Sequence, residues 1–429
     1  MASLPRRRFL QALMLSGLSL EGCQGWSLKP SKAHVVVVGG GFAGATAAKT
    51  LRMLDDSIRV TLIEPKTRYI TCPGSNTVFA GLTDIDRLTL DYQKLQDRYG
   101  ITQLVDTVNE ILASRRQLKL AGGQIIGYDR LILAPGIAFR WDAIAGYDEE
   151  LVEIFPHAWQ AGPQTLLLNR QLKAMRPGGV ILITAPPDPY RCPPGPYERA
   201  SLMAFWLKQH NPRAKILILD PKRSFSKQAL FESGWAKHFG YGTANSMIEW
   251  HNLADNPIAA LHANSKTLVS DFGDQFTGDI LNIIPPQTAA SLALANGLTD
   301  LSGWCRVKAQ TSQSVMDEHI HIIGDAAHFG PIPKSAFAAN SEAKMCAIAV
   351  LGLLNGLDKV EPNWVNTCYS LITPKHGISV AGVYRVENGA VAAVKGAGGI
   401  SNNAFAESAE LEAGFAQSAY HTLVKNSFG

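Results

Sequence analysis

Residues 34–44 decide the fold, and they read His34-Val35-Val36-Val37-Val38-Gly39-Gly40-Gly41-Phe42-Ala43-Gly44. The valines predict a short strand that is buried on both faces. The segment after the glycines, Ala45 to Leu51, is typical of a helix. A strand, a GxGxxG turn and a helix in this order predict a dinucleotide-binding βαβ unit.

The residues of this turn have separate expected roles. Gly39 makes the tight turn, Gly41 lets the backbone approach a pyrophosphate, and Gly44 lets the helix pack close to the sheet. Phe42 and Ala43 lie between them, where the N-terminus of the helix faces the phosphates. We therefore predict that all five residues help to bind the cofactor.

Three further segments extend this unit, and the last two favour FAD over NAD. Glu64 directly follows a second predicted strand, Arg59 to Ile63, and is expected to accept the ribose hydroxyls. The segment from Tyr128 to Gly136 resembles the strand and turn that close the first FAD half in flavoproteins. The segment from His319 to Asp325 resembles their second FAD motif, in which the aspartate meets the ribityl chain just before a helix. The FAD domain is therefore predicted to be discontinuous.

The segment inserted into this domain has the strands of a second nucleotide-binding unit but not its glycines. Gly179 to Thr184 and Lys215 to Asp220 predict two parallel strands. The connection between them, Ala185 to Glu198, is rich in proline, which has no N–H to donate to a phosphate. Asp188 would also repel a phosphate. This domain is not expected to bind a nicotinamide cofactor.

Composition sets the class of protein. The chain has 429 residues, 46% hydrophobic and 18% charged, which predicts a soluble globular protein of two or three domains. The net charge of +4 is spread along the sequence and forms no basic run with aromatic residues. We therefore expect no nucleic-acid partner.

The N-terminus predicts export. Arg6-Arg7-Arg8-Phe9-Leu10 precedes a short apolar run that ends at Leu20, as in a twin-arginine signal peptide. This interpretation places the mature protein in a bacterial periplasm; a basic N-terminal helix is the alternative. Leu20-Glu21-Gly22-Cys23 resembles a lipoprotein cleavage box, although Glu21 fits it poorly. A lipid anchor on Cys23 is therefore kept only as a further alternative. No other run is expected to span a membrane.

The cysteines leave several interpretations open at this point. Cys192 lies in the proline-rich loop, and Cys368 lies much later in the sequence. The two are a redox pair beside the flavin, a static disulfide, or two thiols that do not interact. Cys72 is either covalently joined to the flavin or a plain loop cysteine. Cys305 and Cys346 are interpreted as structural. The spacing predicts no metal site, and no CxxCH motif for haem is present.

Together, these segments resemble a known family, the flavoprotein subunit of flavocytochrome c sulfide dehydrogenase. The resemblance covers nearly all of the chain after the signal peptide. One carrying segment is Arg191 to Ala200, and its most specific part is the run Cys192-Pro193-Pro194-Gly195-Pro196-Tyr197-Glu198-Arg199. The other carrying segments are Val36 to Lys49, Tyr69 to Asn76, Pro156 to Trp159, Met247 to His251, Asn282 to Gln287, Gly324-Asp325, Pro333 to Ala343, Asn366 to Ser370 and Ser427 to Gly429.

The resemblance implies an activity and assigns roles. It implies that sulfide is oxidised to sulfur or polysulfide and that electrons pass through FAD to a c-type cytochrome subunit, which carries the haem c. It implies a redox disulfide between Cys192 and Cys368, and a thioether from Cys72 to the flavin 8α carbon. Glu198 lies six residues past Cys192 and is a candidate base for HS⁻ or for a cysteine.

The predicted fold class is α/β, with two Rossmann-like domains and a smaller C-terminal α+β domain. The predicted boundaries are 1–32 for the signal peptide, 33–146 and 287–360 for the FAD domain, 147–286 for the second domain, and 361–429 for a C-terminal domain at the flavin and partner interface. Two alternative functions stay open: a sulfide:quinone oxidoreductase, and a flavin electron-relay subunit without sulfide turnover. Four aromatic residues of the C-terminal domain are candidates for presenting the flavin to the haem: Tyr384, Phe405, Phe415 and Tyr420.

Overall fold

A computed structural model describes residues 33–358, 360–402 and 406–429. The predicted signal peptide, the alternative lipid anchor on Cys23 and the candidate Phe405 lie outside the described residues.

Short strands and helices alternate along the described chain. The strands are β1 (His34–Val38), β2 (Arg59–Ile63), β3 (Arg68–Ile70), β4 (Thr89–Asp91), β5 (Thr102–Leu104), β6 (Val108–Leu112), β7 (Gln117–Leu120), β8 (Ile125–Gly127), β9 (Arg130–Leu133), β10 (Ile137–Phe139), β11 (Val180–Thr184), β12 (Lys215–Asp220), β13 (Ile248–Asn252), β14 (Ile258–His262), β15 (Thr267–Ser270), β16 (Gln275–Thr277), β17 (Ile280–Ile283), β18 (Gln287–Ala289), β19 (Cys305–Arg306), β20 (Ile320–Ile322), β21 (Ala327–His328), β22 (Asn363–Thr373), β23 (His376–Glu387) and β24 (Ala390–Ile400). The α-helices are α1 (Phe42–Leu54), α2 (Gln93–Tyr99), α3 (Pro163–Ala174), α4 (Gly195–His210), α5 (Gln228–Phe239), α6 (Ser291–Ala295), α7 (Ala336–Asn355) and α8 (Ala406–Phe428).

The first parallel sheet has the order β20-β9-β1-β2-β5. Every neighbouring pair in it is parallel. Val35, Val36 and Val37 of β1 are fully buried, as expected for a strand covered on both faces. β20 joins this sheet from far along the chain, so the sheet is assembled from two separate stretches of sequence.

The second parallel sheet has the order β13-β12-β11-β17. Each parallel sheet is accompanied by a three-stranded antiparallel sheet, β6-β7-β8 for the first and β14-β15-β16 for the second. β10 and β18 pair with each other where the chain leaves the first half and returns to it. The predicted α/β class with two Rossmann-like units is confirmed, and this arrangement brings the loops of both halves towards one cavity.

The C-terminal part is a three-stranded antiparallel sheet, β22-β23-β24, with α8 packed against it. α7 packs against α1, and its buried side chains include Ala343, Cys346 and Val350. α7 is also long and apolar enough to cross a membrane by length and composition, although half of its apolar stretch is buried inside the protein. Such a run was not expected from the sequence, and the absence of a membrane-spanning segment stays a prediction.

Candidate active site

A cavity of about 1030 Å³ lies where β1, β2, β9 and β20 end. Ligand pockets are commonly about 300–1,000 Å³, so this one is large enough for a dinucleotide. The predicted site residue Gly44 lies outside the lining, under the loop. The predicted site residues that line the cavity are Gly39, Gly41, Phe42, Ala43, Glu64, Cys72, Gly136, Cys192, Glu198, Asp325 and Cys368.

Two glycines of the GxGxxG loop lie so close to neighbouring backbone atoms that no larger residue fits in their place. Gly39 has a φ of +98°, and a Cβ on it would stand 2.3 Å from the carbonyl oxygen of Ala134. A Cβ on Gly44 would stand 1.8 Å from the carbonyl oxygen of Gly39. The start of α1 is therefore pressed against the end of β1, with the N-terminus of the helix directed at the cavity.

Gly41 differs from these two glycines because a Cβ on it would make only ordinary van der Waals contacts. A Cβ on it would meet no protein atom closer than 3.6 Å, the hydroxyl of Tyr69. A bare backbone that faces a cavity at a helix N-terminus is the surface a pyrophosphate needs. The loop therefore fits the phosphates of FAD.

Acidic groups follow two of the strands that end at the cavity. One oxygen of the Glu64 carboxylate accepts a hydrogen bond from the Gly40 N–H at 2.8 Å, and the other accepts from the Lys66 N–H at 3.1 Å. Both oxygens keep a lone pair for a ribose hydroxyl. Asp325 follows β20 through Gly324, and burial raises the pKa of its carboxyl.

The segment after Asp325 differs from its predicted course. A short 3-10 turn and the two-residue strand β21 come before α7, which begins at Ala336. Ser335 caps this helix by accepting the N–H of Ala338 at 3.0 Å, and Ala336 and Phe337 line the cavity. The helix N-terminus therefore reaches the cavity, but not directly after the aspartate.

The acidic residue of the second sheet that could bind a ribose is engaged by protein side chains. Asp220 ends β12, as a ribose-binding acid would, and is fully buried. Its carboxylate accepts hydrogen bonds from the Tyr197 hydroxyl at 2.5 Å and the Trp250 indole at 2.9 Å. It also pairs with Lys222 at 2.7 Å. The carboxylate is saturated by protein partners, which agrees with the loss of the glycine loop.

Cys192 is held in an unusual backbone conformation. Its φ is +60°, in the left-handed region that residues other than glycine rarely adopt. Its N–H donates to the carbonyl of Lys334 at 2.8 Å, and its carbonyl accepts from Gly195 at 2.8 Å. A Cβ on Gly195 would stand 2.6 Å from the Trp159 ring and 3.1 Å from the Cys192 sulfur, so the glycine makes room for both side chains.

Three polar partners surround Glu198, which lies in the first turn of α4. Asn76 donates to one carboxylate oxygen at 2.8 Å, and the Leu371 N–H donates to the other at 2.9 Å. Burial raises the pKa of the carboxyl, while these two hydrogen bonds and the nearby ammonium of Lys227 oppose the rise. Glu198 is therefore a fixed carboxylate whose affinity for a proton is higher than usual, on the cavity wall that also holds the two cysteines.

Cys192 and Cys368 share one region of the cavity. Both are thiols in the structure. Burial raises the pKa of Cys192 well above its usual value, and the neighbouring Cys368 raises it further. Burial also raises the pKa of Cys368, but the ammonium of Lys227 lowers it. The two sulfurs therefore lie within electrostatic reach of each other and differ in their neighbours.

Cys72 lies on the same lining, within electrostatic reach of Cys192. Its thiol donates to the carbonyl of Trp159 at 3.6 Å, and the guanidinium of Arg191 donates to that same carbonyl. Burial alone would lower the pKa of Arg191, but Cys72 and Asp325 raise it on balance. Arg191 thus places a lasting positive charge beside Cys72 and Asp325.

Several residues of this site were missed by sequence reasoning. Arg191, Asn76 and Lys334 lie in segments that carry the family resemblance, but no role was expected for them. Nothing in the sequence pattern pointed to Lys227. These residues reach the site from separate elements. Among the aromatic candidates, Tyr420 lines the cavity and shares a hydrogen bond of 2.9 Å with Thr71. Tyr384 is buried in the core, and Phe415 is half exposed.

Comparison with known proteins identifies the family. Residues 165–285 match the family described as Sulfide dehydrogenase (flavocytochrome c) flavoprotein chain, central, and residues 360–428 match Flavocytochrome c sulphide dehydrogenase, flavin-binding. A sulfide dehydrogenase (flavocytochrome c) flavoprotein chain from Chlorobaculum thiosulfatiphilum is 70% identical over 45 residues, 10% of this chain and 94% of that sequence. The chain belongs to this family. It is an FAD-dependent oxidoreductase of a family of sulfide-oxidising flavoproteins.

More distant relatives share the fold. Residues 33–160 match the pyridine nucleotide-disulphide oxidoreductase family. A mitochondrial sulfide:quinone oxidoreductase from Dictyostelium discoideum is 21% identical over 322 residues, 72% of this chain and 68% of that one. The crystal structure of the sulfide:quinone oxidoreductase from Aquifex aeolicus superposes with a TM-score of 0.70 at 15% identity and covers 92% of both chains.

Proposed function

We propose that this flavoprotein oxidises sulfide through a redox disulfide between Cys192 and Cys368 and delivers the electrons to a c-type cytochrome subunit in a heterodimer. The observation that carries the proposal is that both cysteines and Glu198 line the cavity that the glycine loop also lines. The engagement of the Asp220 carboxylate by Tyr197, Trp250 and Lys222 supports a sulfur donor over a nicotinamide donor.

The sulfur chemistry follows from the cysteines. HS⁻ attacks one sulfur of the disulfide, the S–S bond breaks, and one cysteine becomes a persulfide while the other leaves as a thiolate. A second HS⁻ removes the outer sulfur as HSS⁻ and leaves the dithiol. Closing the disulfide again releases two electrons, so that two HS⁻ yield one HSS⁻, one proton and two electrons. Bound FAD supplies the acceptor for these two electrons.

Glu198 serves the proton steps. Its carboxylate is fixed by Asn76 and by the Leu371 N–H, and its raised pKa lets it hold a proton taken from HS⁻ or from a cysteine thiol. Removing that proton maintains the thiolate that closes the disulfide.

The test is steady-state turnover with sulfide and cytochrome c. Cys192→Ser and Cys368→Ser are each expected to abolish it, whereas Cys346→Ser, at a buried cysteine away from the cavity, is the control. Full activity in either of the first two variants would refute the disulfide role. Reduction of a quinone without reduction of cytochrome c would favour the second candidate, a sulfide:quinone oxidoreductase, which the shared fold supports.

We also propose that Cys72 forms a thioether with the flavin 8α carbon. Its place on the cavity lining beside Arg191 supports this attachment. After acid precipitation, the flavin is expected to stay with the polypeptide of the wild type and to be released from Cys72→Ser. Release of all flavin from the wild type would rule out the covalent bond.

Export by the twin-arginine route to the periplasm is part of the same proposal. It is supported by Arg6, Arg7 and the apolar run after them. Replacing both arginines with lysine is expected to leave the flavoprotein in the cytoplasm, as measured by cell fractionation. Unchanged delivery of the doubly substituted protein to the periplasm would contradict this route.

A further inference from the structure

We propose that Lys227 makes the two cysteines unequal: it stabilises Cys368 as the leaving thiolate, so that Cys192 receives the sulfur and carries the persulfide. This inference rests on the proposed function and goes beyond it, because it assigns a direction to the opening of the disulfide. Lys227 is a positioning residue that acts through the charge it holds beside Cys368.

The side chain of Lys227 is buried and fixed. It stands at the start of α5 with a φ of +63°, and it is only 7% exposed. Its Nζ donates to the carbonyl of Cys368 at 3.0 Å and to the hydroxyl of Ser370 at 2.8 Å. Alternate residues of a strand share a face, so Cys368 and Ser370 project to the same side of β22, where the ammonium lies.

The charges around Lys227 explain why a cation is kept in this buried place. Burial lowers the pKa of Lys227, and four acidic groups oppose that effect: Cys368, Glu198, Cys192 and Glu412. A buried cation is stable only when it is paired and hydrogen-bonded. The thiolate that appears when the disulfide opens would supply such a partner on β22.

Cys192 faces a different cation from Cys368. Burial, Cys368 and Glu198 raise the pKa of its thiol, and Arg191 opposes them. Arg191 is itself shared with Asp325. In thiol–disulfide exchange, the thiol with the lower pKa leaves faster. Cys368 is therefore the better leaving group, and the attacked sulfur is that of Cys192.

The first measurement is the alkylation of the reduced holoenzyme by iodoacetamide, followed by peptide mass spectrometry as a function of pH. Lys227→Met is expected to slow alkylation of Cys368 about tenfold at pH 7, which corresponds to a pKa rise of about one unit. Lys227→Arg should restore the rate in part. Ser370→Ala keeps the ammonium and is the matched control, so its rate should stay near that of the wild type. An unchanged rate in Lys227→Met would overturn the proposal.

The second measurement locates the sulfur. The wild-type holoenzyme is mixed anaerobically with one equivalent of sulfide, alkylated and digested. The extra sulfur atom is expected on the peptide with Cys192 and a simple alkyl group on the peptide with Cys368. Extra sulfur on Cys368 would overturn the assignment while leaving the proposed function intact. Extra sulfur on neither cysteine would overturn both.

Discussion

Substitution of Gly41 by alanine separates cofactor binding from folding. The φ of Gly41 is −71°, which any residue adopts, and a Cβ would lie 3.6 Å from the Tyr69 hydroxyl, an ordinary contact. The folded protein therefore tolerates the methyl group. The same group is added on the cavity lining at the place we assign to the pyrophosphate, so we expect its conflict to be with FAD.

The magnitude follows from the hydrogen bonds that the methyl group displaces. A hydrogen bond to a charged group contributes about 1.5–3 kcal/mol, so loss of one backbone N–H to a phosphate oxygen weakens FAD binding about 10- to 100-fold. Two glycines serve as controls. A Cβ on Gly44 would stand 1.8 Å from a backbone oxygen, and we expect Gly44→Ala to destabilise the fold by at least about 1–3 kcal/mol. Gly414 lies in α8, and a Cβ on it would meet nothing within 4 Å. Gly414→Ala should therefore raise the free energy of unfolding by about 0.5–1 kcal/mol.

The assay uses a Cys72→Ala background, in which any bound flavin can exchange. FAD affinity is measured by titration, and the free energy of unfolding is measured by urea denaturation without added FAD. Gly41→Ala is expected to lower the affinity with unchanged unfolding, and Gly44→Ala to lower both. Unchanged FAD affinity in Gly41→Ala would refute the placement of the pyrophosphate on this loop.

Three further predictions concern stability and the thiol. Arg199 is buried and hydrogen-bonded to several carbonyl and amide oxygens. Arg199→Met should therefore lower the free energy of unfolding in urea by about 3–5 kcal/mol. Arg223 is exposed, and as the control Arg223→Met should lower it by under about 1 kcal/mol. Burial lowers the pKa of His157 to about 3, so the stability it contributes is complete above pH 6.5 and falls by about 1.4 kcal/mol per pH unit on acidification. His157→Asn keeps an acceptor at that place, so the free energy of unfolding should depend less steeply on pH between about pH 6 and 4. An equally steep dependence in this variant would contradict the prediction. A Cβ on Gly195 would stand 2.6 Å from the Trp159 ring and 3.1 Å from the Cys192 sulfur, so Gly195→Ala should displace both and reduce sulfide turnover without loss of bound FAD, as measured by initial rates and the flavin absorbance.

The first sheet could be predicted from the sequence because its signals are local. β1 and β2 have the predicted bounds, and β12 also begins and ends where the pattern indicated. A strand buried on both faces needs an uninterrupted apolar run, and the glycine turn sets the start of the helix after it. The residues predicted to bind the cofactor take their positions from these strands, and most of them lie together on the cavity lining.

The sulfur side of the cavity was less accessible to such reasoning. Cys192 and Cys368 could be named as chemically interesting, but the pairing itself came from the family resemblance. Lys227 carries no local signal at all: it approaches Cys368 only because α5 of the second domain packs beside β22 of the C-terminal sheet. Asn76 is likewise brought to Glu198 by packing between distant segments. Contacts of this kind depend on the tertiary structure and not on the spacing of residues.

The central claim is that electrons enter this flavoprotein through sulfur at Cys192 and Cys368 and not from a nicotinamide. The most direct measurement is the anaerobic absorbance spectrum of the bound flavin after the addition of sulfide or of NADH. Sulfide is expected to bleach the flavin of the wild type but not that of Cys192→Ser or Cys368→Ser, and NADH is expected to leave all three oxidised. Bleaching by NADH, or equal bleaching by sulfide in the wild type and both variants, would contradict the claim.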